Sequence, residues 1–227
     1  MYTVQQTMTR IGGGDRSFPE WCGVMSMLSL LTAKALSNLG QTGEARHWWA
    51  TAQWAADLSG DPKRSLSVAG EGLIRALYQE RPTRSVLGKI DEMRARYSAV
   101  PCSGIAHLLS SRAQALVREG RTDEAVAALR DVREVFERLS DSVTKEVGSA
   151  FGWGENRLRY TEAWVHAYAG RSQEADEAAR NALAILPASD PRSRTQLALI
   201  QGLGHVREGD VSEGIRHDWS PKQLTRA

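Results

Sequence analysis

The sequence predicts an all-helical protein assembled from stacked helix pairs. Three observations carry that expectation. A short turn signal recurs four times, an apolar stripe follows it at fixed offsets, and a second apolar helix precedes each signal. Repeats are sought first because missing them misassigns the whole architecture.

The signal is a glycine, three residues, a glutamate and then a small residue. It reads Gly40…Glu44-Ala45, Gly120…Glu124-Ala125, Gly170…Glu174-Ala175 and Gly209…Glu213-Gly214. After the first come Ala45, Trp48, Trp49, Ala52, Ala55 and Ala56. After the second come Ala125, Ala128, Leu129, Val132, Val135 and Phe136. After the third come Ala175, Ala178, Ala179, Ala182, Ile185 and Leu186. The spacing is identical each time and marks one face of an α-helix. Apolar segments from Met27 to Leu39, His107 to Glu119 and Leu158 to Ala169 lie ahead of the glycines. Glycine suits the junction because it ends a helix in the left-handed conformation without a Cβ clash. The glutamate sits near the positive end of the second helix, and Pro187 stops the third pair.

The unit is similar to the tetratricopeptide pattern. It has a small residue in the first helix (Ala33, Ala113, Ala163), a turn glycine, and Trp49, Leu129 or Ala179 in the large apolar slot of the second. That resemblance implies a right-handed α-solenoid of about four to five helix pairs, of the kind described for such repeats. A pair without the signature, roughly Ser65–Gln79 and Val86–Tyr97, fills the gap between Gly40 and Gly120. The fourth signature lacks its apolar second face, since His217 and Asp218 stand there, so it caps the array or marks its frayed end. Residues 1–18, with Gly12-Gly13-Gly14, read as a flexible N-terminal arm, 19–219 as the repeat domain and 220–227 as a C-terminal tail. The segment Ser140–Asn156 reads as the longest loop. Its Trp153 either packs over the next helix pair or belongs to a binding lid.

Composition narrows the function. Net charge is +2, too small an excess to mark a nucleic-acid surface. No apolar run approaches the roughly 20 residues that span a bilayer, and no signal peptide opens the chain. Cys22 and Cys102 form no Cys-x-x-Cys pair, as expected of reduced thiols in a cytoplasmic protein. None of the five histidines belongs to a His-x-x-x-His pair, the three glycines are not a phosphate loop, and no nucleophile elbow occurs. No catalytic residue, metal site or cofactor is expected.

Several stretches narrow the resemblance further. They are Ser149 to Glu162 (SAFGWGENRLRYTE), Trp48-Trp49-Ala50-Thr51-Ala52, Leu58-Ser59-Gly60-Asp61-Pro62 and Gly120-Arg121-Thr122-Asp123-Glu124-Ala125. Over about residues 20–218 the chain looks like the C-terminal tetratricopeptide domain of actinobacterial Xre-type helix-turn-helix transcriptional regulators. In that family a helix-turn-helix reads DNA and the repeat domain senses a ligand or mediates assembly. Such a DNA-reading domain needs more chain than precedes the first repeat here, so direct nucleic-acid binding is not carried over. The resemblance implies a regulatory, ligand-sensing role.

Counting back from the glycines selects side chains for a concave wall: Lys34, Asn38, His107, Gln114, Arg118, Arg157, Tyr160, Trp164 and Tyr168, with Arg207 beyond them. Amides can bond an extended main chain, arginines can hold a carboxylate or phosphate, and the aromatics offer broad surface. The partner expected is a peptide, a protein or a small anionic ligand. The other reading of the same residues is a solvated wall whose aromatics pack between repeats. A scaffold or homodimer of the same fold is the alternative function.

Overall fold

The structure is a computed structural model describing residues 6, 9–10, 14–79, 81–97, 101–145 and 152–218. Among the described residues there is helix and no strand, so the protein is all-α. The helices are α1 (Phe18–Asn38), α2 (Thr42–Leu58), α3 (Pro62–Tyr78), α4 (Thr83–Arg96), α5 (Ser103–Arg118), α6 (Thr122–Glu137), the single turn α7 (Asp141–Thr144), α8 (Glu155–Tyr168), α9 (Ser172–Ile185), α10 (Pro191–Glu208) and α11 (Val211–Asp218). Contacts divide the chain into two compact units, Met1–Leu108 and Leu109–Ala227, with the division inside α5.

The signature glycines end helices as their sequence predicts. Gly40, Gly120, Gly170 and Gly209 all have positive φ, from 68° to 105°. At each, the glycine N–H bonds a carbonyl three residues back, and the next N–H reaches one five residues back. Gly120 N donates to Val117 O at 3.1 Å, for example, and Arg121 N to Leu116 O at 3.0 Å. This doubled closure satisfies two carbonyls that the helix end would otherwise orphan. Gly60 also has positive φ and ends α2, although no signature marks it. Two other boundaries use Asp-Pro: Asp61 accepts from Lys63 N and Arg64 N, and Asp190 from Ser193 N, each with proline in the first helical turn.

In the first unit α2 packs along α1 around Cys22, Met25 and Ala55, with Phe18 and Trp21 against them. Phe18 opens α1 and belongs to this cluster rather than to the arm; Gln6, Thr9 and Arg10 are helical, and the remainder of 1–13 lies outside the described residues. Trp48 and Trp49 are half-buried, and Trp49 donates to Ser37 Oγ at 3.3 Å. The unsigned pair expected between Gly40 and Gly120 is α3 and α4. α3 then crosses α5 almost backbone to backbone. A Cβ at Gly104 would lie 2.5 Å from Leu66 C and Ser67 N, and one at Gly70 only 2.4 Å from His107 Cβ.

In the second unit α8 packs on α9, α6 and α10, and α9 packs on α10. The stripe residues Ala125, Ala128, Leu129, Val132, Ala175, Ala178, Ala179 and Ala182 are all buried, whereas Ile185 is exposed. Burying one such leucine stabilises the fold by roughly 2 kcal/mol. The expected long loop is shorter than its sequence suggests. Ser140 O accepts from Val143 N and Thr144 N, and Lys145 pairs with Asp141 at 2.7 Å, which closes α7. Trp153 is fully buried against Phe136 of α6, and its backbone N–H donates to Val143 O at 2.9 Å. Phe151 lies outside the described residues, as do 219–227 and the side chains of His217 and Asp218.

Candidate functional site

The nine wall residues fall in two places. In the first unit, Lys34 on α1 donates to Glu71 Oε1 on α3 at 3.2 Å. His107 Nε2 lies 3.3 Å from the same oxygen. Glu71 and His107 are both buried, and the glycine crossing of α3 and α5 brings them together. One turn along, Asn38 Oδ1 accepts from Arg75 at 3.2 Å. Lys34, Asn38 and His107 are therefore engaged with α3 or its neighbourhood. The unforeseen residue is Glu71, whose carboxylate gathers Lys34 and His107.

In the second unit, Gln114 is buried and donates to Ser110 Oγ at 3.3 Å. Ser110 in turn meets Thr161 of α8 at 2.7 Å. Gln114 thus lies beside a helix–helix contact, away from open surface. There α8 covers that part of α5. Arg118, at the end of α5, is exposed.

α8 supplies the densest group. Tyr160, Trp164 and Tyr168 recur every four residues on one face. Tyr160 and Trp164 stack at 6.5 Å between centroids, and Trp164 and Tyr168 at 4.7 Å with planes 22° apart. Arg207 of α10 completes the ladder, its guanidinium 5.1 Å from the Tyr168 centroid and Nη1 donating to Tyr168 O at 3.4 Å. Trp164 is 8% exposed, while Tyr160, Tyr168 and Arg157 are half-buried and Arg207 is exposed. Because the rings face one another, what they turn outward is largely their edges. Ring edges carry positive partial charge, so edges and guanidinium have the same electrostatic sense. Arg118, Tyr168 and Arg207 each stand two residues before a turn glycine, so the repeat itself places them at equivalent points.

Behind the ladder the same helix carries a buried acid. Glu162 Oε1 accepts from Arg133 of α6 at 2.5 Å and Oε2 from Arg159 at 3.0 Å. Burial works against the Arg159 guanidinium, but its bonds to Glu155 and Glu162 outweigh that and hold its pKa above the usual arginine value. One turn further, burial pushes the His166 imidazole below its ordinary pKa, partly opposed by Glu174 and Glu162. Sequence reading missed Arg133 and Glu162. The Arg159-x-x-Glu162 spacing was readable, but nothing in sequence announces a partner on another helix.

Searches with family models, characterised proteins and solved structures find no match to this chain. The side chains alone therefore define what the surface can do. Among the described residues no group of three His, Cys, Asp or Glu side chains is placed to hold a metal ion, and no helix is long and apolar enough to cross a membrane. The ladder is the one predicted set that comes together with a cation at its solvent edge, which suits recognition of a negatively charged group.

Proposed function

We propose that this chain is a tetratricopeptide-like array serving as a non-enzymatic, cytoplasmic regulatory domain that binds an acidic peptide or small anionic ligand along the ladder. Two features support the repeat assignment. Four helix ends share one glycine closure, and α8 packs on its pair partner α9, on α10 of the pair after and on α6 of the pair before. The regulatory role follows the resemblance to the effector domains of Xre-type regulators. The observation that carries the ligand class is Arg207 stacked on Tyr168 at the open end of the aromatic column. A carboxylate there meets a bidentate donor and positive ring edges together.

Isothermal titration with a Glu-rich hexapeptide bearing a free C-terminus tests this directly. Binding is expected, with at least about a tenfold loss in Arg207→Ala and Tyr168→Ala, equivalent to about 1.4 kcal/mol. A Lys-rich control peptide should not bind. Equal affinity for the acidic and basic peptides, or an Arg207→Ala variant as tight as wild type, would remove the reading.

The alternative, a self-associating scaffold, is favoured by a separate observation: exposed apolar side chains on α1, α10 and α11.

A further inference from the structure

α10 shows how one helix of this protein is received by the pair before it. Gly204 lies on Ala167 and Ser172, with 3.6 Å from the position of a glycine Cβ to each. Gln201 donates to Asp176 at 3.1 Å, and His205 lies 3.2 Å from the same carboxylate. Glu208 accepts from Ser172 Oγ. The incoming face of α10 is thus Gln201, Gly204, His205 and Glu208. The receiving groove of α8 and α9 includes Ala167, Ser172 and Asp176.

The turn glycines give the repeat register, so each of these positions can be found again. Measured from Gly209 instead of Gly170, the receiving residues become Val206, Val211 and Ile215 on α10 and α11. All three are exposed, from 41 to 58%. Measured from Gly40 instead of Gly209, the incoming residues become Thr32, Ala35 and Leu36 on α1 and Leu39 at its C-terminal cap. Ala35 and Leu39 are exposed, and Leu31 beside them is 48% exposed.

Both surfaces changed in the same direction. In the groove, the donor Ser172 and the acceptor Asp176 are replaced by Val211 and Ile215. On the incoming face, Gln201, His205 and the acceptor Glu208 are replaced by Thr32, Leu36 and Leu39. The crossing residue stays small, Gly204 becoming Ala35. A groove that lost its carboxylate is matched by a helix face that lost its histidine and glutamine. Had only one face become apolar, an unrelated partner would explain it equally well; the paired exchange points to a second copy of this chain.

We propose that the protein self-associates head to tail, with α1 of one copy lying in the α10–α11 groove of the next as α10 lies in the α8–α9 groove. Such a contact is heterologous and leaves one free end of each kind, so it extends beyond a dimer or closes into a ring. The patches are small and apolar, which sets a weak, concentration-dependent association. The inference rests on repeat register and stands apart from the ligand reading.

Sedimentation velocity on the full chain, between about 1 μM and about 1 mM, supplies the test. The wild type should sediment faster as concentration rises. Leu31→Glu, which blocks the head, and Ile215→Glu, which blocks the tail, should each remain monomeric. An equimolar mixture of the two variants should form a dimer and nothing larger, because one intact head meets one intact tail. Ala35→Arg and Val211→Glu repeat the design if circular dichroism shows either first variant to be less helical. A wild type monomeric throughout overturns the proposal. So does self-association of the head variant alone, which would make the contact tail to tail, or a mixture that yields no dimer.

Discussion

At the scale of single residues, buried charge is handled in two different ways on α8. At Glu162, Arg133 and Arg159 each bond one carboxylate oxygen, the pairing that makes a buried carboxylate tolerable. His166, one turn away, is 9% exposed, and burial lowers its pKa from the ordinary 6.5. The unfolded chain therefore takes up a proton near pH 6.5 that the folded chain takes up only at lower pH. Between those two values the unfolded state binds more protons, so stability falls as pH falls. Leu36 and Leu116 occupy the same slot before their turn glycines, which makes leucine a suitable replacement. His166→Leu is expected to lose less melting temperature than the wild type from about pH 7.5 to about pH 5.5, the range in which histidine titrates. Thermal denaturation of both proteins across that range checks it; parallel curves would assign the acid sensitivity to other groups.

At the scale of elements, glycine has two jobs here, and only one was legible. Gly40, Gly120, Gly170 and Gly209 announce themselves because each follows an apolar helix and precedes Glu and a small residue at constant spacing. Gly70 and Gly104 look like ordinary weak points inside helices, since nothing local distinguishes a glycine that another backbone touches. Only the crossing of α3 and α5 reveals them. Gly104→Ala would put a methyl group 2.5 Å from the backbone of Leu66 and Ser67, where no flexible side chain can swing away. The helices must separate, and overpacking of this kind costs about 1–3 kcal/mol. That exceeds the gain of up to about 1 kcal/mol that alanine brings to a helix interior. Gly88, whose Cβ would meet nothing within 4 Å, is the control: Gly88→Ala should be neutral or stabilising. Urea denaturation of the two variants separates them, and equal midpoints would show that the crossing relaxes freely. The short turn α7 was illegible for a related reason. Its helical register is set by Ser140 and an Asp141–Lys145 pair over too few residues for a periodic stripe to appear.

At the scale of the whole molecule, the recurring spacing made the helices readable, and it also explains why the residues picked for one wall scatter between contacts and surface. Periodicity says which face a residue occupies on its own helix. It does not say how much of that face the next helix covers. His107 and Gln114 are buried at helix contacts, whereas Tyr168 and Arg207, nearer the turns, reach solvent. The same register separates two surfaces with opposite physics. Ligand capture at Arg207 rests on charge in a partly exposed setting, which salt screens over about 8–10 Å at ordinary ionic strength. Head-to-tail packing through Leu31, Val211 and Ile215 rests on apolar burial, which excluded salts such as sulfate strengthen. Raising sodium chloride should therefore weaken binding of the acidic hexapeptide while leaving sedimentation little changed, and sodium sulfate should weaken the first and promote the second. Titration calorimetry and sedimentation on one preparation, in matched salt series, read both. If self-association dissolved with salt in step with peptide binding, charge would be holding the copies together, and the apolar match between α1 and the α10–α11 groove would not be the cause.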